Sequence, residues 1–379
     1  MELTIEQRDL RDAVRGLVAK HQRPGHVEPG PDGGEQAPGY DLVLWQRLCG
    51  EIGAAGLAIP ERYGGAGAGP VETCIVLEEL GRGLVSSPML GSAVLTGQAL
   101  LASGDDAACR RLLPGIAGGA TVAALAWAPW AGHWDPAGPA FSAHPSPAGP
   151  GDAWVLTGEA HHVLDGDAAG VLLAAARAPD GIGLFEVDVG HGAVTRRAVT
   201  TMDTTRRLAV VALEGAPGCR LGAGQGGQAL ARARDLACIA LAAEQAGAAQ
   251  RALELTVAYT KTRVQFGRPI GSFQALQHRM ADVHVLVESA RSLCYAAALA
   301  AADAEPDAAR LGMLAAAAKA HCSQALTRAA GQMIQMHGAI GITWEHDAHR
   351  YFKRAHGTGQ LFGRPEEHVA RIAAALIDG

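Results

Sequence analysis

The feature that most constrains the fold is the period of the apolar residues, which changes twice along the chain. Up to about Ala120, apolar residues recur at helical spacing. From there to about residue 224 the apolar runs are short and bounded by Gly, Pro and Asp, which is typical of strands. Helical spacing returns at about Gly226 and persists, apart from corners, to Ile377. This order predicts an α+β fold that is mostly α.

The same pattern predicts three domains: an N-terminal helical domain at 1–119, a middle β domain at 120–224 and a C-terminal helical bundle at 225–379. A capping box of Thr4 and Gln7 opens the first helix. Helices are predicted at 5–21, 42–55, 76–84, 92–102 and 311–334, and strands at 121–127, 154–157, 170–176, 183–187 and 208–213. Residues 22–39, rich in Pro, Gly, Asp and Glu, are predicted to form a loop.

Composition supports the helical assignment and excludes several classes of protein. Of the 379 residues, 49 % are hydrophobic and only 4 % aromatic, and the dominant Ala favours helix. The net charge of −6 gives no electrostatic basis for binding nucleic acid or an anionic membrane. The chain has no uncharged apolar run of about 18 residues, so we predict no membrane insertion.

The N-terminus and the cysteines predict a cytoplasmic protein. The first seven residues carry acidic groups and no apolar region, unlike a signal peptide. The seven cysteines form neither a CxxC pair nor a metal-binding spacing. We therefore expect reduced thiols, mostly in the core.

A corner rich in Gly and Pro carries the strongest binding signal. One helix is predicted to end near Arg263 and the next to begin near Ser272, whose hydroxyl suits an N-cap. The corner brings together Arg263, Phe266 and Gln274. A guanidinium fork, an aromatic edge and an amide are the groups that an extended dinucleotide-like ligand would use. An ordinary helix hairpin with solvated basic residues fits the same spacing.

A second segment follows the long helix predicted at 311–334. Here Gln335, Gly338 and Ala339 come where backbone groups are free to meet a ligand. A glycine-punctuated corner without any ligand is the alternative.

Both segments resemble motifs of the acyl-CoA dehydrogenase family. Arg263-x-x-Phe266-Gly267-x-Pro269 is similar to the corner motif of that family, and Gln335 to Gly341 resembles its Q-x-x-G-G-x-G segment, with Ala339 in place of a glycine. The resemblance covers the whole length. It implies an N-terminal helical domain, a middle β-barrel-like domain and a C-terminal four-helix bundle that together enclose FAD.

The resemblance also implies partners. Arg263, Phe266, Gln274, Gln335, Gly338 and Ala339 would hold FAD across a subunit interface. A shared cofactor implies at least a homodimer, and the family usually forms a homotetramer that is a dimer of dimers. The implied electron acceptor is electron-transferring flavoprotein.

The middle domain keeps part of the family pattern and loses part. The resemblance implies that His162, Val163 and Leu164 form the wall against the flavin ring. The family's T-E-P-x-x-G-S-D loop is replaced at 126–135, where Trp127 is predicted either to wall the ring or to be core. His161 and His162 are adjacent, but strand alternation would send them to opposite faces, so we predict no metal site.

The reaction that the resemblance implies needs a carboxylate to remove the α proton of the thioester. At the family's two base positions this chain has Phe362 and Ala237, neither of which is an acid. Glu244 lies seven residues beyond Ala237, about 10 Å along the same helix face, and is predicted to be the base. The alternative is that Glu244 pairs with an Arg or His of a neighbouring helix.

Two further residues are assigned to the substrate by resemblance. Asp235 matches an aspartate near the pantetheine, and the main-chain amide of Phe362, with a ribityl hydroxyl, would polarise the thioester carbonyl. The Asp203, Thr205 and Arg206 segment is interpreted as mainly structural.

These residues predict FAD-dependent α,β-dehydrogenation of an acyl thioester carried by CoA or by acyl carrier protein. Three alternatives stay open. In the first, the chain is the non-catalytic subunit of a heteromeric dehydrogenase, because both usual base positions are empty. In the second, a relocated base shifts the oxidation to the γ,δ position. In the third, the same fold serves as a flavin monooxygenase.

Overall fold

The N-terminal helices begin where polar caps or proline allow them to. The computed structural model describes residues 3–21, 39–132, 134–146, 153–222, 224–303 and 307–378. The loop predicted at 22–39 lies, except for Gly39, outside these residues. Helix α1 spans Ile5–His21, and Thr4 and Gln7 exchange the two bonds of the predicted capping box, at 3.1 and 3.2 Å. Helix α2 spans Leu42–Ile52 and is capped by the Asp41 carboxylate.

The remaining N-terminal elements differ from the sequence prediction in their bounds. Helix α3 spans Pro70–Gly83 and begins with a proline at its first position, six residues before the predicted start. A π-helix at Met89–Thr96 then runs into α4 at Gly97–Ser103. Helix α5, Asp106–Ala117, was not predicted, because Pro114 in its interior interrupts the pattern.

Within the described residues, seven strands form the middle sheet. They are β1 Ala123–Ala126, β2 Phe141–Pro145, β3 Ala153–Leu164, β4 Val171–Ala178, β5 Gly181–Val187, β6 Val194–Val199 and β7 Leu208–Leu221. The pairings run from β4 through β2, β3, β7 and β5 back to β4, so this part of the sheet closes on itself. The barrel-like expectation is therefore confirmed. Strands β2 and β6 were not predicted, and β3 and β7 are longer than predicted.

The C-terminal part is a helical bundle. Its helices are α6 Gly226–Thr262, α7 Gln274–Ala301, α8 Ala308–His337, α9 Ala348–Gln360 and α10 Pro365–Asp378. Helix α8 packs against the other four, and α6 also packs against α3. The contact between α3 and α6 is close because glycines alternate across it. A Cβ on Gly81 would lie 2.0 Å from the Glu244 carbonyl oxygen, and one on Gly247 would lie 1.9 Å from that of Glu78.

The corner between α6 and α7 corrects one prediction. The two short strands β8, Val264–Gln265, and β9, Arg268–Pro269, pair here. Helix α7 begins only at Gln274, and Ser272 lies in the preceding 3-10 turn, where its hydroxyl donates to the Pro269 carbonyl at 2.7 Å. Ser272 is therefore not the N-cap.

The state of the cysteines and the character of the helices were both predicted from the sequence. All seven cysteines are free thiols, and every one except Cys219 is buried, as predicted. Across the described residues, none of the helices combines the length and the apolar character needed to cross a lipid bilayer.

Candidate active site

The corner after α6 presents its side chains to solvent. Arg263 and Gln274 are exposed, and the Phe266 side chain is 91 % exposed with a backbone φ of 53°. A large aromatic residue that is both exposed and in the left-handed region is unusual and marks a position where another molecule is expected.

The turn after α8 is the second exposed segment. Gln335, Gly338 and Ala339 are all exposed, and Gly338 has a φ of 64°. Within the described part of the chain, the side chains of Arg263, Gln274 and Gln335 make no hydrogen bond or ion pair. This unpartnered set of one guanidinium and two amides fits the phosphate and polar edges of a dinucleotide.

A cavity of about 700 Å³ lies between the sheet and the C-terminal helices. Loop residues from 134 to 137 and Ile182 form its sheet side. Its helical side comes from α6, the turn between α9 and α10, and α10; the residues are Gly227, Ala231, Arg234, Phe362, Gly363, Glu367, His368 and Arg371. The cavity thus reaches the place where the resemblance puts the thioester.

Three aromatic rings pack together at the edge of this cavity. Trp127 and Phe362 are both 1 % exposed, and their rings are nearly parallel with centroids 6.2 Å apart. Trp134 meets both edge-on, at 5.2 Å from Trp127 and 5.3 Å from Phe362. A third flat ring between two parallel rings needs a separation of about 7 Å, so none fits between Trp127 and Phe362.

The predicted flavin wall also touches this cluster. The ring of Trp134 lies 6.2 Å from His162 as well as 5.3 Å from Phe362. Trp134 therefore bridges the predicted flavin wall and the predicted thioester contact. As arranged here, these residues do not fit a flavin ring between them, whereas the exposed corner and turn do fit its nucleotide end.

The His161–His162 segment departs from regular strand geometry. Pairing with β7 skips from Ala160 to Val163, and His162 has a φ of 56°. Because of this bulge the two histidine rings lie 6.2 Å apart, and the prediction that they point to opposite faces is wrong. Val163 and Leu164 are buried in the core, so His162 is the half-buried member of the predicted wall. Within the described ranges, His, Cys, Asp and Glu nowhere form a group of three able to hold a metal.

Glu244 is held by two arginines. Arg206 and Arg354 both donate to its Oε1, and Arg354 also lies 2.9 Å from the Asp203 carboxylate and 2.9 Å from the Thr205 hydroxyl. Burial would raise the pKa of Glu244, but the two guanidinium groups outweigh burial and hold this pKa below its ordinary value.

These contacts contradict the assignment of Glu244 as the base. A proton acceptor needs a raised pKa and room for the substrate. The space beside Glu244 is only about 10 Å³, roughly that of one water, and Glu244 lies ten residues beyond Arg234, about 15 Å along α6 from the large cavity. The structure instead has the ion pair to a neighbouring helix that was the alternative.

Asp235 lies behind the cavity wall. It is buried, accepts two bonds from Arg371 at 2.7 and 2.9 Å, and pairs with Arg234 at 3.0 Å. Both arginines line the cavity, whereas Asp235 does not. Its visible contact is with them and not with the cavity, so it orients guanidinium groups that face the cavity.

Sequence reasoning missed two buried groups near Phe362. His368 lines the cavity, is 4 % exposed, and neither ring nitrogen has a hydrogen-bond partner among the described residues; burial lowers its pKa to about 4. Lys319 is buried and donates to the Gly359 and Gly363 carbonyls at 3.2 and 3.0 Å. Lys319 is a charged residue flanked by alanines within α8, the same kind of local signal that drew attention to Glu244.

Comparisons with known proteins agree with this architecture. The chain matches the acyl-CoA dehydrogenase N-terminal domain over residues 4–120 and the C-terminal domain over residues 224–377. It is 40 % identical to "Acyl-CoA dehydrogenase IpdE2" of Mycolicibacterium smegmatis, over 99 % of this chain and 100 % of the relative. A variant of the "Tcur3481-Tcur3483 steroid ACAD" has a TM-score of 0.87 and 31 % identity over 99 % of this chain and 98 % of that one. The ChsE4-ChsE5 complex from Mycobacterium tuberculosis has a TM-score of 0.87 and 29 % identity over 100 % and 99 %.

Proposed function

Because the chain belongs to the acyl-CoA dehydrogenase family, whose homologues are FAD-dependent oxidoreductases, we propose that it is one of two different chains in a heteromeric acyl-CoA dehydrogenase. Its partner chain carries the base and the flavin slot. This chain completes the cofactor site from outside with its exposed corner and turn. The predicted homotetramer gives way, in this proposal, to an assembly of two kinds of chain.

One observation carries the proposal: the outer half of the proposed cofactor site is exposed and unpartnered among the described residues, whereas aromatic rings fill the inner half. Among the described residues, Arg263, Gln274 and Gln335 of the outer half have no hydrogen-bond or ion-pair partner, and the Phe266 side chain is exposed. The inner half is filled, because Trp134 contacts both His162 and Phe362. A chain that serves only its partner's cofactor needs the first half and not the second.

The missing base supports the same conclusion. A carboxylate suited to removing an α proton is buried in an apolar pocket, which raises its pKa. Among the described residues that line the cavity, the carboxylates are Asp135, which is exposed and accepts from the Ala137 N–H, and Glu367, which accepts from the Arg364 N–H. Neither has the environment of a base, and Phe362 and Ala237 stand at the family's two base positions.

The chemistry then divides between the chains. FAD, when bound at the shared site, supplies the hydride acceptor for the α,β-dehydrogenation. From this chain, Arg263 offers a guanidinium fork to phosphate, Phe266 a ring face, and Gln274 and Gln335 their amides. The backbone at Gly338 and Ala339 stays open to a close approach.

The names of similar proteins support an assembly of two chains and indicate a substrate class. One solved neighbour is a complex of ChsE4 and ChsE5, and another is a steroid acyl-CoA dehydrogenase whose name joins two chains. We therefore propose an acyl-CoA thioester with a bulky, steroid-type ring system as the substrate. Electron-transferring flavoprotein is the proposed electron acceptor.

The test is a substitution at the corner in the assembled pair. The chain is co-expressed with a family member from the same organism that has a glutamate at the position of Phe362 or of Ala237. Arg263→Ala should weaken FAD binding about ten- to a hundredfold, because a charge-assisted bond contributes about 1.5–3 kcal/mol. The matched control is Arg310→Ala. Arg310 is exposed and lies near the start of α8, at the end of this helix opposite to Gln335, so its substitution should leave FAD affinity unchanged. Equal FAD affinity in both variants would contradict the proposed role of the corner.

A further inference from the structure

Three aromatic rings from different parts of the chain stack beneath the two exposed segments. The ring of His337 packs on Tyr259 with centroids 4.2 Å apart and an angle of 24°. On its other side it meets His346 at 4.3 Å and 42°. Tyr259 belongs to α6, His337 ends α8, and His346 precedes α9. The stack therefore joins elements that are far apart in sequence.

Two ring contacts and one hydrogen bond hold the central ring. His337 is 4 % exposed, and its Nδ1 lies 2.7 Å from the Met333 carbonyl, which can only accept, so Nδ1 carries the proton. Its Nε2 is buried and has no partner in the described part of the chain. Burial lowers the pKa of His337, which keeps the ring neutral and able to stack at physiological pH.

Hydrogen bonds of Tyr259 connect the stack to both exposed segments. The Tyr259 carbonyl accepts from the Arg263 N–H at 2.9 Å, so a residue of the stack also holds the first residue of the corner. The Tyr259 hydroxyl donates to the His337 carbonyl at 3.4 Å, and His337 immediately precedes Gly338. A displacement of the His337 ring would thus move Arg263 and Gly338 relative to each other.

We propose that His337 is a positioning residue of the cofactor half-site: its ring sets the distance between the corner after α6 and the turn after α8. This inference rests on the proposed function, because it assumes that one FAD molecule spans both segments. His337 itself is buried and acts through the exposed residues beside it. The ring, and not the Nδ1 bond, carries the effect.

The experiment compares His337→Ala with His337→Phe, which keeps a ring and loses the Nδ1 bond. Hydrogen exchange of the isolated chain is followed in residues 264–272 and 335–342. FAD affinity, kcat and KM are measured in the assembled pair with its acyl-CoA substrate. His321→Ala, a change on the same helix that makes no contact with the stack, is the control.

The expected result is specific to positioning. His337→Ala should raise exchange in both segments and weaken FAD binding about tenfold, as the loss of two ring contacts implies. The kcat of His337→Ala should rise with added FAD, whereas kcat and KM of His321→Ala should match the wild type. His337→Phe should restore FAD affinity to within about twofold of wild type.

Two results would overturn the inference in distinguishable ways. If the wild-type pair binds FAD and His337→Ala binds it equally well, or raises exchange only at 335–342, the positioning role fails and the proposed function stands. If the wild-type pair binds no FAD, the proposed function fails and the positioning role fails with it.

Discussion

At the scale of single residues, the charged groups in contact with Glu244 decide its expected role. Its carboxylate satisfies Arg206 and Arg354, and Arg354 is itself only 1 % exposed. Removing one member of a buried ion network leaves the others without compensation, which costs more than the pair contributes. We therefore expect Glu244 to contribute to the stability of the protein rather than to the reaction.

Glu244→Gln should lower the free energy of unfolding by about 3 kcal/mol, because the charges of the buried Arg354 and the half-buried Arg206 lose a partner. The pKa of Glu244 is lowered in the folded chain, so its contribution is present above the unfolded pKa of about 4.3 and is lost as pH falls through the folded value. Urea unfolding between pH 7 and pH 3.5 measures both effects. The control Glu214→Gln changes an exposed acid and should leave the curve unchanged. A variant as stable as wild type that no longer supports flavin reduction would restore Glu244 as the base.

The sequence identified Glu244 as an acid in an apolar helix, which is a local property. Its partners Arg206 and Arg354 lie 38 and 110 residues away, and no local pattern predicts such contacts. The same applies to Trp134, whose ring meets His162 and Phe362. By contrast, the exposed corner at Arg263 could be predicted, because Gly and Pro fix a turn through local sterics.

At the scale of elements, the long helices were predicted well and the irregular ones were not. Helix α1 agrees residue for residue, because its cap and its apolar period are both local. Strand β2 was missed because it lies among prolines, and β6 because the Arg residues within it obscure the alternation. The proposed domain boundaries at 119 and 224 stay predictions.

The close contact between α3 and α6 leaves no room for a side chain at Gly247. Gly247→Ala should destabilise the protein by more than about 3 kcal/mol, because its Cβ would lie 1.9 Å from the backbone oxygen of Glu78 and two helices would have to separate. Gly331→Ala in α8 is the matched control, since nothing lies within 4 Å of its Cβ. That change should stabilise by about 0.5–1 kcal/mol through helix propensity. Thermal and urea unfolding compare them, and equal effects would show that α3 and α6 pack less closely than described.

At the scale of the whole molecule, the proposed cofactor site has an exposed outer half and an inner half filled by aromatic rings. Two copies related by a two-fold axis present the same surfaces to each other. In a homodimer of this chain, each exposed corner would therefore face a slot closed by Trp134, Trp127 and Phe362. Pairing with a different chain resolves this mismatch, because one partner supplies the slot and the other the corner. From the sequence alone, pairing with a different chain was one alternative among several, because no sequence motif predicts whether aromatic rings fill the slot.

The amount of FAD bound per chain distinguishes a half-site from a complete cofactor site. The purified chain alone and the co-expressed pair are each compared by flavin absorbance against protein concentration. We predict no stoichiometric FAD in the chain alone and one FAD for each pair of different chains. If the chain alone binds one FAD per protomer, and an acyl-CoA thioester bleaches this FAD anaerobically, the chain carries a complete active site. That result would contradict the proposed pairing with a different chain.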